Sequence, residues 1–553
     1  MRGSLHAVAF DVAGQHGVIV AEGGAVLADG SAAELAAVMH RAEQAAGEPP
    51  RWVWWDAATA AGPIARAGGF LHRCWDLAEA HRLLVGGFDA AQDRVWAVAH
   101  GLDPDGAPAR RSDDLFDVID DDSVVIRPDG YLNPVCLQPH WQRANLSEYA
   151  ALALTVARKQ LALLATRERG AGTGASESGA ALLCVELTAH GLPIDRPTME
   201  LLITEHAGPR PADEAQARQI RADRDRGVLD LLPGRSSIDL RNPVQVRDLL
   251  RSLGVQVEDT RAWNLEPYRD THPVVGALLD WRKDERIATT YGWQWLDGHV
   301  GDDGRLRGPW TACDGGAGRM TAGAGLHSLP TPLRPGVAAA DGYVLVRADL
   351  GQVEPRVLAV VSGDPAFARA TAADDLYATV ARQLNLERPA AKLAVLAAMY
   401  GQTSGPAAEA LRRMDRTYPR AMAYLRAAAQ RGEAGESVTT YGGRTVPVTN
   451  GGDQAHRRAV GRFTRNAVVQ GAAAELFKAW ALTARNALRP LDAEVVLCLH
   501  DELLVHAPAQ HAEAAAAAVQ ESLEAAARRW SGAAPVRFVA DLRVIRRWSE
   551  AKD

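Results

Sequence analysis

The chain is poor in cysteine and in lysine. Its five cysteines, Cys74, Cys136, Cys184, Cys313 and Cys498, are scattered singly through 553 residues. Without a CxxC pair, neither a zinc framework nor a disulfide scaffold is indicated, and a reducing cytosol fits. No apolar run reaches the roughly 20 residues that a membrane-spanning helix needs, and the N-terminus lacks a signal-peptide pattern. No membrane partner is therefore expected. The net charge of −7 lacks the basic excess that would announce a nucleic-acid binder, although binding needs only a local basic face. Lysine occurs only at positions 159, 283, 392, 478 and 552, and arginine serves almost everywhere else. An ammonium on a flexible stem is a different tool from a guanidinium fork, so each lysine is informative.

What is present is an ordinary globular composition in a chain too long for one core, which predicts roughly three or four domains or subdomains. Residues 1–165 open with strand-like runs at 5–10 and 18–21. The glycine-rich residues 166–179 read as a flexible linker. Helical patterns follow, among them 243–253 and 274–290, then a short strand at 343–347 leading into Asp349. Helices dominate 355–430, residues 439–447 read as strand–turn–strand, and 457–482 and 511–529 read as helices. Residues 494–506 read as two strands around a tight turn. The acidic patch from Asp113 to Asp122 lacks EF-hand spacing and its glycine, and reads as a solvated loop.

Arg388, Lys392, Leu396 and Tyr400 recur every four positions and form one stripe on a helix. Two cations near one end and an aromatic near the other suit a polyphosphate attached to a flat base, but a solvated helix face has the same pattern. The surrounding acids weigh on the choice. Asp349 directly follows a strand, and His500-Asp501-Glu502 sits at a hairpin tip. Strand-end aspartates are usually turn formers. Phosphoryl transfer, however, needs hard oxygen ligands beside the phosphates, and two aspartates from separate strands of one sheet can hold two ions about 4 Å apart. The cationic stripe lies in sequence between the two aspartates, as a triphosphate clamp requires.

These runs resemble the motifs of family A DNA polymerases, the bacterial polymerase I class. Asp349…Gln352-Val353-Glu354-Pro355-Arg356 resembles motif A, Arg388-x3-Lys392-x7-Tyr400-Gly401 motif B, and His500-Asp501-Glu502 motif C. Gly318-Arg319-Met320-Thr321…Leu326-His327-Ser328-Leu329-Pro330 resembles the segment upstream of motif A, and Arg462-x3-Asn466-x3-Gln470-Gly471 the helix before motif C. The resemblance covers residues 180–553. It implies an α+β right-hand polymerase fold with a helical thumb (180–304), a palm with an antiparallel sheet (305–365 and 437–553) and helical fingers (366–436). It implies a monomeric, cytoplasmic, nucleoid-associated enzyme of replication or repair that adds deoxynucleotides to a primer on template DNA. Two Mg2+ ions would serve it, with Mn2+ accepted by the same oxygen donors.

By this resemblance Asp349 and Asp501 hold the metals and Glu502 is an auxiliary carboxylate. Arg388 and Lys392 contact the triphosphate, and Lys392 is a candidate proton donor to pyrophosphate. Gln352 and Leu396 line the nucleotide site, Tyr400 lies near the templating base, and Glu354 is the sugar gate that excludes a 2′-hydroxyl. Arg319, Arg462, Asn466, Gln470 and His500 contact the primer–template. Such donors can test pair geometry through the minor-groove acceptors present at every correct pair.

Three departures stand out. Leu396 and Leu350-Gly351 replace residues that are usually an aromatic, and an aromatic with a serine. Tyr377 stands where a phosphate-contacting histidine is common. Residues 1–165 resemble, faintly, a 3′–5′ exonuclease domain of the α/β RNase H-like type. Asp11 and Asp56 keep two of its four carboxylates, while Ala13 and Ala153 replace the others. A degenerate domain without proofreading is expected, and no 5′-nuclease domain. The alternatives are a non-catalytic DNA-binding scaffold on the same fold, a polymerase with residual exonuclease activity, and an RNA polymerase, which Glu354 disfavours.

Overall fold

The computed structural model describes residues 3–45, 47–108, 124–232, 238–401, 407–449, 451–499, 501–532 and 534–552. The acidic patch Asp113–Asp122 lies outside them. No described helix is long and apolar enough to cross a membrane. The chain divides into two compact units. One comprises Met1–Gly191, Pro309–Ala322 and Gly342–Val544, the other Leu192–Gly308, Gly323–Asp341 and Ile545–Asp553.

The first unit begins with strands β1 (Leu5–Phe10), β2 (Gly17–Ala21), β3 (Val26–Gly30), β4 (Arg51–Trp54) and β5 (Cys74–Asp76), in the order β3-β2-β1-β4-β5. The β1–β2 and β2–β3 pairs are antiparallel, and β1–β4 and β4–β5 parallel. Parallel strands require crossover connections, which the helices between β3, β4 and β5 provide. Helix α1 (Leu146–Ala165) packs on this sheet through Tyr149, Ala153 and Val156.

Residues 166–179 are not the flexible linker that their composition predicts. From Gly170 they belong to helix α2 (Gly170–His190). Glycine lowers intrinsic helix propensity by up to about 1 kcal/mol per residue, but here close packing outweighs it. A Cβ on Gly174 would approach the Trp75 ring to 2.7 Å, and one on Gly179 would approach Leu482 to 2.7 Å. Small residues thus let α2 lie close against both the N-terminal sheet and the later part of the chain. The predicted boundary at residue 180 falls inside this helix.

The second half of the unit is built on strands β6 (Tyr343–Leu350), β7 (Glu494–Leu499), β8 (Glu502–Pro508) and β9 (Ala540–Ile545), in the order β7-β8-β6-β9. The β6–β8 and β7–β8 pairs are antiparallel. Between β6 and β7 run α3 (Val353–Ser362), α4 (Leu376–Leu384), α5 (Arg388–Tyr400) and the 35-residue α6 (Gln454–Leu488). Helix α7 (Ala512–Ser531) follows β8 and packs on α6, where the Trp480 indole donates to the Val519 carbonyl.

The second unit holds the helices Arg196–Ala207, Glu214–Leu229, Pro243–Ser252 and Pro273–Thr290. Its core gathers Val228, Val246, Leu250, Val275 and Leu278. The C-terminal residues 545–553, expected with residues 437–544, belong here instead. The Arg547 guanidinium pairs with Asp195 at 2.7 Å and donates to the Pro335 carbonyl at 2.6 Å, which fastens the tail to this unit.

Candidate active site

The strand register creates the centre of the site. On the β6–β8 ladder Asp349 lies opposite Glu502, and the Leu350 amide donates to the Asp501 carbonyl at 2.8 Å. Two residues far apart in sequence, Asp349 and Asp501, are thereby brought side by side at one end of the sheet. Burial, and then the nearby Asp349 carboxylate, push the Asp501 carboxyl up to about 6. Burial also raises Asp349, against the opposing pull of Arg347. Acids held this way gain strongly from a nearby positive charge.

Arg347 supplies one such charge. Its Nε donates to Glu502 Oε1 at 3.0 Å, its Nη2 to Asp349, and its Nη1 to Asp541 Oδ2 at 3.4 Å. The residue is 3% exposed. Neither Arg347 nor Asp541 emerges from the motif reading. The signal for Arg347 was available, because residues two apart on a strand share a face, and Arg347 stands two before Asp349.

Beside these acids lies a cavity of about 480 Å3. Arg319, Gln352, Glu354, Lys392, Leu396, Tyr400, Gln470 and Asp501 line it, together with Tyr377. The stripe predicted for residues 388–400 is helical, with Pro389 in its first turn and Gly401, at φ 70°, as its C-cap. Three of its four members, Lys392, Leu396 and Tyr400, face the cavity. Tyr400 donates its hydroxyl to Glu354 Oε2 at 3.2 Å, and burial raises the Glu354 carboxyl. Gln352 adopts a left-handed φ of 56° just before α3, uncommon for a residue with a Cβ. Its carboxamide donates to Asp375 at 3.1 Å and accepts from the Leu376 amide at 2.8 Å, tying the turn after β6 to the start of α4. Arg356 is fully buried and donates to five carbonyls, those of Gly351, Thr371, Ala373, Asp374 and Arg537.

Other expected residues stand apart from the cavity. Arg388 pairs with Asp375 at 2.6 Å, its guanidinium 5.9 Å from the Tyr377 ring centre. Arg462 is exposed on α6. Asn466 has a buried Oδ1 that accepts no hydrogen bond from the described residues. His500 lies outside the described residues. Arg319 borders the cavity while its Nε donates to Asp314 at 3.1 Å. In the N-terminal third, Asp11 Oδ1 accepts from the Gln15 amide at 2.9 Å, and Asp56 caps a helix by accepting from the Thr59 amide at 3.0 Å. Among the described residues, no three His, Cys, Asp or Glu side chains converge as a complete metal cage.

Residues 234–550 match the family described as DNA polymerase family A. Over 294 residues the chain is 30% identical to DNA polymerase I of Deinococcus radiodurans, an alignment covering 47% of this chain and 30% of that protein. It is 31% identical over 299 residues to the thermostable DNA polymerase I of Thermus thermophilus, covering 48% and 36%. The chain thus matches about a third of the length of these relatives. A solved structure, the POL domain of Pol1 from M. smegmatis in complex with DNA primer-template and dNTP, aligns with a TM-score of 0.71 at 20% identity, covering 100% of this chain and 97% of that one.

Proposed function

Because the chain belongs to DNA polymerase family A, we propose that it is a template-directed DNA polymerase, extending a primer 3′ end with deoxynucleotides by two-metal phosphoryl transfer. One observation carries this reading: a single cavity gathers Lys392, Glu354 and Tyr400 with Asp501, next to the strand pair that sets Asp349 beside it.

The donors fit a hard divalent cation. Asp349 and Asp501 offer adjacent carboxylate oxygens, and both carboxyls are held above their ordinary range by burial. Mg2+ in phosphate-processing sites takes only one or two carboxylates and fills its shell with water and substrate phosphates, so a complete protein cage is not needed. Asp349 and Asp501 would hold the two ions, Mg2+ or Mn2+, which supply activation of the primer hydroxyl and neutralisation of the triphosphate when bound. The exposed Lys392 ammonium, on the cavity wall, binds triphosphate oxygens and can donate a proton to the departing pyrophosphate. Arg388 adds a second cation one turn away; it must loosen its pair with Asp375 to reach the phosphates. Leu396 presents apolar surface to the nucleotide, and Tyr400 lies near the templating base. Glu354, anchored by Tyr400, closes the space that a 2′-hydroxyl would occupy. Arg319, Gln470, Asn466 and Arg462 would contact the primer–template, a role that the motif resemblance also gives His500. Arginine and carboxamide side chains supply donors, which suit the groove-edge acceptors present at every pair and are indifferent to sequence.

For residues 1–165 we propose a degenerate exonuclease-like domain without proofreading. Alanines at 13 and 153 leave only Asp11 and Asp56 of four carboxylates, and both accept hydrogen bonds from nearby backbone amides.

Primer extension with Mg2+, wild type against Asp501→Ala, tests the main reading. Incorporation is expected to collapse while duplex binding, read by a gel shift, persists. Full activity in the variant would sink the metal-site assignment. Release of nucleotide from a 3′-labelled primer without dNTPs would overturn the absence of proofreading.

A further inference from the structure

The polymerase reading uses Asp349, Asp501 and Glu502, but gives no task to the arginine between them. Arg347 sits on the same face of β6 as Asp349, two residues away, with 3% of its surface exposed. Its guanidinium is spent entirely on acids. Nε and Nη2 face the two Glu502 oxygens at 3.0 and 3.4 Å, Nη2 also donates to Asp349 Oδ2, and Nη1 reaches Asp541 on β9 at 3.4 Å. A buried guanidinium cannot deprotonate in the working pH range, so this charge is permanent.

We propose that Arg347 is a fixed counter-charge of the carboxylate site and sets how much divalent metal the site requires. The inference rests on the reading of Asp349 and Asp501 as the metal holders. Two effects of the arginine oppose each other. It steadies the acids, which favours a metal, and it repels any second cation while occupying the Asp349 oxygen that a metal would take. The repulsion dominates, because strand pairing already sets the backbones of these acids without it. Asp349 and Glu502 are paired residues on a hydrogen-bonded ladder, and the Asp501 carbonyl is fixed by the Leu350 amide at 2.8 Å. A unit charge a few ångströms from a divalent ion in a half-buried site lowers its affinity by about tenfold or more, even with generous dielectric screening. Arg347 is a positioning residue in this account, since it acts on the metal through the acids.

The test reads metal binding directly. Mn2+ is titrated into the protein without DNA or nucleotide, and free Mn2+ is followed by electron paramagnetic resonance, for wild type, Arg347→Gln, Arg347→Lys and Asp501→Ala. Gln removes the charge but keeps amide donors, and Lys keeps the charge but loses the fork. The expected result is about tenfold tighter Mn2+ binding in R347Q, near wild-type binding in R347K, and loss of a site in D501A. In primer extension the half-saturating Mg2+ concentration should fall in R347Q by a larger factor than kcat changes. Equal or weaker Mn2+ binding in R347Q, with D501A still losing its site, overturns this proposal alone. Wild-type binding in D501A overturns the metal-site reading and this proposal with it. Arg347→Met, which matches the buried stem, is read by the same titration if R347Q folds poorly by circular dichroism, with the same expected and overturning results.

Discussion

Tyr400, the last residue of α5, donates its hydroxyl to Glu354, the second residue of α3, at 3.2 Å. The bond fixes a carboxylate on the cavity wall that burial alone would leave free to rotate. If that carboxylate screens the sugar, loosening it should relax the screen. Tyr400→Phe is expected to raise ribonucleotide incorporation relative to deoxyribonucleotide by about fivefold, equivalent to ~1 kcal/mol for a partly exposed hydrogen bond to a charged group. Glu354→Ala should raise it further. The measurement is the ratio of kcat/KM for dCTP and CTP, and an unchanged ratio in E354A removes the gate assignment.

Leu396 is half-buried and borders the same cavity. An aromatic there would add flat apolar area against the nucleotide, worth roughly 0.5–1.5 kcal/mol. Leu396→Phe should therefore lower KM for dNTPs by about threefold to tenfold, with less change in kcat. A raised KM in steady-state primer extension would mean that the wall has no room for the ring.

Glu177 on α2 meets two cations from distant parts of the chain, Arg444 and Lys478, each at 2.5 Å, and all three side chains are at most 1% exposed. Despite burial, the two cations hold its carboxyl below the ordinary range. Removing one partner of a buried ionic cluster costs about 3–5 kcal/mol, because the remaining charges are left unpaired in a dry interior. Glu177→Ala should lose that much stability by urea unfolding. A loss below about 1 kcal/mol would show that water or rearrangement relieves the cations.

Glu475 shows the opposite shift. Burial pushes its carboxyl up to about 7, although the Thr440 hydroxyl and the Gly442 amide donate to it. Between its ordinary value near 4.5 and about 7, the folded protein holds a proton that the unfolded chain has released. Its contribution to stability is thus fully present below the ordinary value and is lost as pH rises through about 7. Glu475→Gln should flatten the dependence of the unfolding midpoint on pH across this window, where wild type loses up to a few kcal/mol. Parallel pH profiles for the two proteins would refute the assignment.

Much of the site was legible because strands and helices impose fixed periods. Asp349 and Asp501 read as strand-end acids; on the ladder Asp349 pairs with Glu502, the residue after Asp501. The four-residue spacing of α5 placed Lys392, Leu396 and Tyr400 on one wall. Arg388, a long exposed side chain at the helix start, pairs here with the nearby acid Asp375. Arg347 escaped because motif matching looks for acids and passes over the cation two residues earlier. The glycine-rich start of α2 misled for a deeper reason. Local composition encodes backbone freedom, but whether that freedom is spent on a loop or on close packing depends on what lies opposite, in this case Trp75 and Leu482.

That packing makes the N-terminal third difficult to discard. Cutting the chain at residue 180, where composition suggests a seam, would split α2 and remove Glu177 while leaving Arg444 and Lys478 behind. It would also take away Arg167, which donates to the carbonyls of Leu83, Leu84 and Gly443, and the Leu84 carbonyl that accepts from Thr445. A stretch of chain can be so tied to the rest that no single cut removes it without stranding charge in the part that remains.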